Sequence, residues 1–204
     1  MMRILAAGEV SIVFAGVMAY IWRLQFTFPD FAVILLVFIV ATFFVHGDRL
    51  QKDLGFGSRG LVAGLRVLVV PTLIIAGALI LFSVPISFFA INRLAGLEKY
   101  FAWSLLQQFA LQSFFGNRLL QALKSQNRAA WLNAGLFAAV HLPNPVLVPI
   151  TFLGGYILTR VFFSTRNLIP LALSHAIIGS LLAVALPVAW HHGLRVGPGY
   201  YRWN

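Results

Sequence analysis

Residues 60–82 read GLVAGLRVLVVPTLIIAGALILF, an apolar run broken by one charge, Arg66. A helix that crosses the hydrocarbon core of a bilayer needs about 20 mostly apolar residues, and this run supplies them. Working outward, comparable runs occur at roughly 4–22, 28–45, 100–117, 129–142, 146–164 and 168–190. The fold class predicted is therefore all-α, a polytopic transmembrane helical bundle of about seven spanning helices. Composition agrees: of 204 residues 60% are hydrophobic and 10% charged, against about 25% charged in soluble domains, and the mean hydropathy is +0.89. A disordered chain, a polar solenoid and a disulfide scaffold are excluded. With no cysteine, so are thiol catalysis, Cys-ligated zinc and iron–sulfur clusters.

The first run follows Met1-Met2-Arg3 as a signal peptide would, but Tyr20-Ile21-Trp22 is bulky where a cleavage site needs small residues, so a retained helix is expected. Glu9 inside it needs a partner or an interfacial position. Residues 83–99 read as an interfacial connector. Residues 193–204 read as a surface tail whose Tyr200, Tyr201 and Trp203 suit the headgroup belt. The net charge of +10 is spread one to three residues at a time between apolar runs, which suits anionic headgroups rather than nucleic acid. With seven spans, nine cations (Arg3, Arg49, Lys52, Arg59, Arg118, Lys124, Arg128, Arg160, Arg166) fall on one side and five (Arg23, Arg93, Lys99, Arg195, Arg202) on the other. The positive-inside rule then puts the N-terminus in the cytoplasm, and the expected location is the bacterial inner (cytoplasmic) membrane.

Polar side chains at membrane depth are costly and each needs a reason. Most lie in the second half: Gln107, Gln108 and Gln112 on one helix, Asn133 and His141 on the next with Pro143-Asn144-Pro145 behind, and Ser174, His175, Gly179 and Ser180 on the last. Taking Arg118, Arg128 and Arg166 as cytoplasmic edges, helix rise places Gln108, His141 and His175 about 15, 20 and 14 Å deep. A shared intramembrane site follows. Interhelical hydrogen bonding, worth about 0.6 kcal/mol per contact, is the competing account for the glutamines and stays open. His191-His192 and His46 are expected in solvated loops.

Three motifs in order carry a resemblance. Gln107-Gln108-Phe109-Ala110-Leu111-Gln112 aligns with a Glu-Glu-x-x-x-Arg motif, Phe137-Ala138-Ala139-Val140-His141 matches Phe-x-x-x-His in full, and His175-Ala176-Ile177-Ile178-Gly179 matches His-x-x-x-Asn at its histidine. The pattern resembles the CPBP family of integral membrane proteases, which includes CAAX prenyl endopeptidases and bacteriocin-processing or self-immunity (ABI) proteins. The resemblance covers residues 101–180. It implies one membrane domain over 1–204, with variable helices and a connector at 1–99 and the family's core helices at 100–190. It also implies hydrolysis of a membrane-associated peptide or protein, with the first motif and His141 activating water and the third motif holding the oxyanion.

The departures fall on the chemistry. Both glutamates are glutamines, the arginine is Gln112 and the asparagine is Gly179. A glutamine amide cannot act as a general base, so His141, His175, Gln107 and Gln108 are the catalytic candidates, with His141 as base and the others polarising water and carbonyl. Gln112, Phe137 and Asn144 are the substrate-binding candidates. Two histidines fall short of the three protein ligands of a catalytic zinc, and no metal or cofactor is expected. The alternative is an inactive relative that binds a membrane partner or serves as a subunit of a membrane complex. A haem or pigment protein using both histidines as axial ligands fits the motif order poorly, and a transporter lacks repeated halves.

Overall fold

The computed structural model describes residues 2–81, 83 and 97–202, and every regular element among them is helical. α1 (Met2–Ala19) continues through a π-helical turn at Tyr20–Leu24 and a last turn at Gln25–Thr27. α2 is Phe31–His46 and α3 is Leu61–Leu81. α4 (97–123) is composite: α-helical at Leu97–Gln108, π-helical at Phe109–Gly116, and α-helical again at Asn117–Leu123. α5 (Gln126–Ala139), α6 (Leu147–Thr165) and α7 (Ile169–Ala185) follow, then the short α8 (Val188–His191) and α9 (Pro198–Tyr201). The connector expected at 83–99 and Trp203 lie almost wholly outside the described residues.

Met2–Thr27, Leu61–Leu81 and Leu147–Thr165 are long and apolar enough to cross a membrane, and Phe31–His46 and Ile169–Ala185 are apolar but shorter. Their outward faces are apolar as well: Ile4, Phe44 and Leu81 are each more than four-fifths exposed, as lipid contact requires. Two boundaries differ from the sequence reading. The helix expected at 129–142 ends at Ala139, because Pro143 and Pro145 remove the N–H groups that would continue it. The helix expected at 168–190 stops at Ala185, with Leu186 in extended conformation before Pro187.

Local signals fix the joins. Ser125 caps α5 by accepting from the Arg128 N–H at 3.4 Å. Asn167 Oδ1 accepts from the Ile169 N–H at 3.1 Å while its Nδ2 donates to the carbonyls of Gly57 and Arg59, tying the α2–α3 loop to the start of α7. Gly60 has φ +75°, and a Cβ there would lie 1.8 Å from the Thr165 carbonyl oxygen, so the loop passes α6 only with glycine at that position.

One buried charge cluster joins the N-terminal helices to α4. Arg118 is 1% exposed. Its Nε donates to Glu9 Oε2 at 2.9 Å, and its Nη2 donates to Asp48 Oδ2 at 2.7 Å and to the Thr42 carbonyl at 3.1 Å. The guanidinium also lies 5.6 Å from the Phe43 ring centre, and His46 Nε2 donates to Glu9 Oε1 at 3.0 Å. This answers the question Glu9 raised, and it corrects two expectations: Arg118 is not a headgroup arginine, and His46 closes α2 against a carboxylate rather than sitting in solvent. His191 is also corrected. It is fully buried, donating from Nε2 to the Leu186 carbonyl and accepting at Nδ1 from the Leu194 N–H.

Removing one member of such a cluster strands the others. Arg118→Ala leaves two carboxylates buried without their cation and is expected to cost about 3–5 kcal/mol of stability. Adding Glu9→Gln and Asp48→Asn should restore most of it. Thermal unfolding in detergent micelles checks this, and a single variant as stable as wild type would remove the cluster's structural role.

Candidate functional site

Two cavities meet inside the bundle. One, of about 570 Å³, is lined by Thr72, Tyr100, Ser174 and His175 among others. The second, of about 580 Å³, lies toward α1 and is lined by Tyr20, Phe26 and Leu136 among others. Trp103, Gln107, Phe137, His141, Leu194 and Val196 line both. His141 and Gln107 therefore stand at the junction, and both walls are mostly apolar.

His141 sits in the turn after α5 rather than in a helix. The turn is closed by the His141 N–H donating to the Ala138 carbonyl and by the Asn144 N–H donating to the His141 carbonyl, each at 3.0 Å. The His141 ring packs edge-on to Phe137, with centres 4.8 Å apart. Its Nδ1 lies 2.6 Å from the Phe137 carbonyl oxygen. A carbonyl only accepts, so Nδ1 carries the proton and Nε2 is left with a lone pair.

His175, on α7, has the opposite arrangement, and its cause can be followed back through three side chains to a backbone carbonyl. Asn133 Nδ2 donates to the Leu111 carbonyl at 3.0 Å, which fixes which end of that amide is nitrogen. The same Nδ2 faces Gln112 Oε1 at 3.4 Å and Thr159 Oγ1 at 2.9 Å. With its oxygen turned to Asn133, Gln112 donates from Nε2 to Gln108 Oε1 at 3.0 Å. Gln108 then presents Nε2 to His175 Nδ1, also at 3.0 Å. His175 Nδ1 must accept, so in the neutral ring Nε2 carries the proton. The two imidazoles thus hold complementary tautomers.

The predicted site residues divide accordingly. Gln107, Phe137, His141 and His175 are brought to the cavities. Gln108 and Gln112 are fully buried behind His175 and line neither cavity, so Gln112 orients Gln108 instead of meeting substrate. Asn144, also expected to bind substrate, is spent on structure. Its Nδ2 donates to the carbonyls of His191 and Arg195, and its Oδ1 accepts from the N–H groups of Val146 and Leu147. Ser174 is paired with Thr72 at 2.7 Å between hydroxyl oxygens.

The sequence reading missed several cavity residues. Tyr100 and Trp103 share the face of Gln107 by helical spacing, a signal present in the sequence. Leu194 and Val196 fall in the stretch that the sequence presents as a surface tail; instead the tail folds back, with the Gly197 N–H donating to the Leu142 carbonyl at 2.8 Å. Among the described residues no three His, Cys, Asp or Glu side chains are grouped so that they could hold a metal ion, and the polar side chains lining the two cavities are imidazoles, amides and hydroxyls together with the Trp103 indole and Arg195.

The tautomers are directly observable. In protein labelled with ¹⁵N-histidine in micelles, His175 is expected to show a protonated Nε2 and His141 a protonated Nδ1, and Asn133→Leu should disturb the first alone. The same tautomer at both rings would overturn the relay.

A family model described as Rce1-like, type II CAAX prenyl endopeptidase Rce1-like, matches residues 1–181. No curated protein and no solved structure matches the chain significantly.

Proposed function

Because the chain belongs to the Rce1-like family of type II CAAX prenyl endopeptidases, we propose that it is an intramembrane endopeptidase acting on a membrane-associated peptide or protein, with an amide–imidazole site in place of a carboxylate one. The observation that carries this reading is the pair of opposed tautomers on the wall of one cavity of about 570 Å³: a lone pair at His141 Nε2 and an N–H at His175 Nε2.

In the proposed reaction His141 Nε2 takes a proton from a water that Gln107 orients. The water oxygen bonds to the scissile carbonyl carbon, and the carbonyl π pair moves onto oxygen, where the His175 Nε2–H stabilises it. As the C–N bond breaks and the C=O reforms, the His141 imidazolium returns its proton to the leaving amine. One water is consumed, and a carboxyl and an amine terminus are released. Gln108, Gln112 and Asn133 are positioning residues: they hold His175 in its donor form without touching substrate. The N-terminus is assigned to the cytoplasm. With Arg118 spent on the buried cluster, eight cations against five still favour that side, and the bacterial inner membrane is the proposed location.

A second reading rests on a different fact. Both motif carboxylates are amides here, and neither cavity is lined by an acid, which keeps the shape of the site and removes its negative charge. On this reading the protein binds a membrane partner without cutting it.

One experiment separates the two. Newly formed protein N-termini are compared in native membranes carrying wild type or His141→Ala, with co-purifying proteins identified from both. The peptidase reading expects a defined set of termini to fall by at least about 100-fold in the variant. Unchanged termini with an intact partner retained by wild type would establish the binding reading instead.

A further inference from the structure

We propose that Tyr100 is a catalytic residue of this site, its hydroxyl giving the substrate carbonyl oxygen a second hydrogen bond beside that of His175. The inference rests on the peptidase reading and deepens it.

Position 179 is where the geometry starts. His175 and Gly179 are four residues apart on α7 and so share a face, the face turned to the first cavity. A Cβ added at Gly179 would lie 2.5 Å from the Tyr100 hydroxyl oxygen and 2.8 and 3.0 Å from two of its ring carbons. The tyrosine therefore occupies the volume that any side chain at 179 would fill, and its oxygen sits where such a side chain would begin. α4 delivers it there: Tyr100 lies two helical turns before Gln107, with its ring edge-on to His175 at 6.4 Å between centres.

Packing alone would be satisfied by phenylalanine. What argues for chemistry is where the hydroxyl sits: against Gly179, one turn from His175 on the same helix face, on a residue lining the same cavity as both histidines. A phenol on a cavity wall can donate its O–H into that cavity, and here what lies before it is the space assigned to the scissile carbonyl. An oxyanion is held by donors converging on the oxygen as charge develops. His175 Nε2–H provides one, and the adjacent phenol provides another, donating its proton in a hydrogen bond without losing it, so the proton balance of the reaction is unchanged.

The test uses the full chain in native membranes and reads the rate at which the His141-dependent N-termini appear. Tyr100→Phe keeps the ring and removes the donor; it is expected to slow their appearance roughly 100-fold while the cleavage positions and the thermal midpoint stay as in wild type. Tyr100→Phe cutting at the wild-type rate overturns the proposal and leaves the peptidase reading intact. A second pair guards against a packing artefact. Tyr100→Ala should be slow, and Tyr100→Ala combined with Gly179→Asn, which places an amide donor in the vacated volume, should recover at least about 10-fold. Equal slowness of both would count against a donor at this point. If wild type yields no His141-dependent termini, the peptidase reading itself fails and the role of Tyr100 falls with it.

Discussion

The carbonyl of Leu111 decides which way the protons point in this molecule's polar interior. It lies in the π-helical part of α4 and accepts from Asn133 Nδ2, and because a carbonyl has no proton to give, that single contact orients an amide. Asn133 turns the same nitrogen to Gln112 Oε1, and each glutamine then presents an acceptor at one end and a donor at the other, so the orientation passes to Gln108 and to His175. Reversing any member would set donor against donor or acceptor against acceptor in a buried place, at a cost of about 1–3 kcal/mol for each unsatisfied group. An amide at this position thus does more than lack charge. A carboxylate at 108 could only accept, and it would draw a proton to His175 Nδ1 and leave Nε2 bare. The glutamine turns the same histidine into a donor toward the cavity.

The buried ion pairs lie away from this relay. Arg118, Glu9, Asp48 and His46 concentrate the buried ionic groups at the contact of α1, α2 and the second α-helical part of α4. In a low-dielectric interior ions are tolerable only with partners and hydrogen bonds around them, and this cluster supplies both, with the Phe43 and Phe114 rings covering the guanidinium. The cluster anchors one end of α4 while the amide relay runs from its middle. A polar but uncharged site of that kind is cheaper to keep between helices than an ion pair would be, since each group needs one partner and no counter-charge.

Much of this was legible in the sequence, and the boundary between what was and what was not is physical. Apolar runs report their own solvent, so a helical membrane bundle followed from hydropathy alone. Helix rise predicts one site for Gln108, His141 and His175; Gln108 meets His175 at 3.0 Å, and His141 and His175 line one cavity. The fate of Arg118 was hidden because its acceptors come from residues 9, 42 and 48, more than 60 positions away, whereas the charge count treated every arginine as a headgroup ligand. The π-helical stretch leaves no compositional mark, yet it carries both Gln112 and the carbonyl that orients it. A helix over 129–142 would include His141, although Pro143 two residues on is the available sign that the helix ends earlier, at Ala139.

The family match stops at residue 181, but the cavities do not. Leu194 and Val196 line both of them, and the segment that carries them is fastened to the turn of His141 by Asn144, which donates to the carbonyls of His191 and Arg195, and by the bond from Gly197 to Leu142. The base proposed for the reaction is therefore held from two directions: by Phe137 on α5, inside the matched region, and by a C-terminal segment outside it. The first contact sets the tautomer, which is a matter of chemistry. The second sets the walls around the ring, which is a matter of which chain fits. Shared chemistry and separate fit can diverge independently in such an arrangement, because a change in the 190–200 segment reshapes both chambers without touching a proton in the relay.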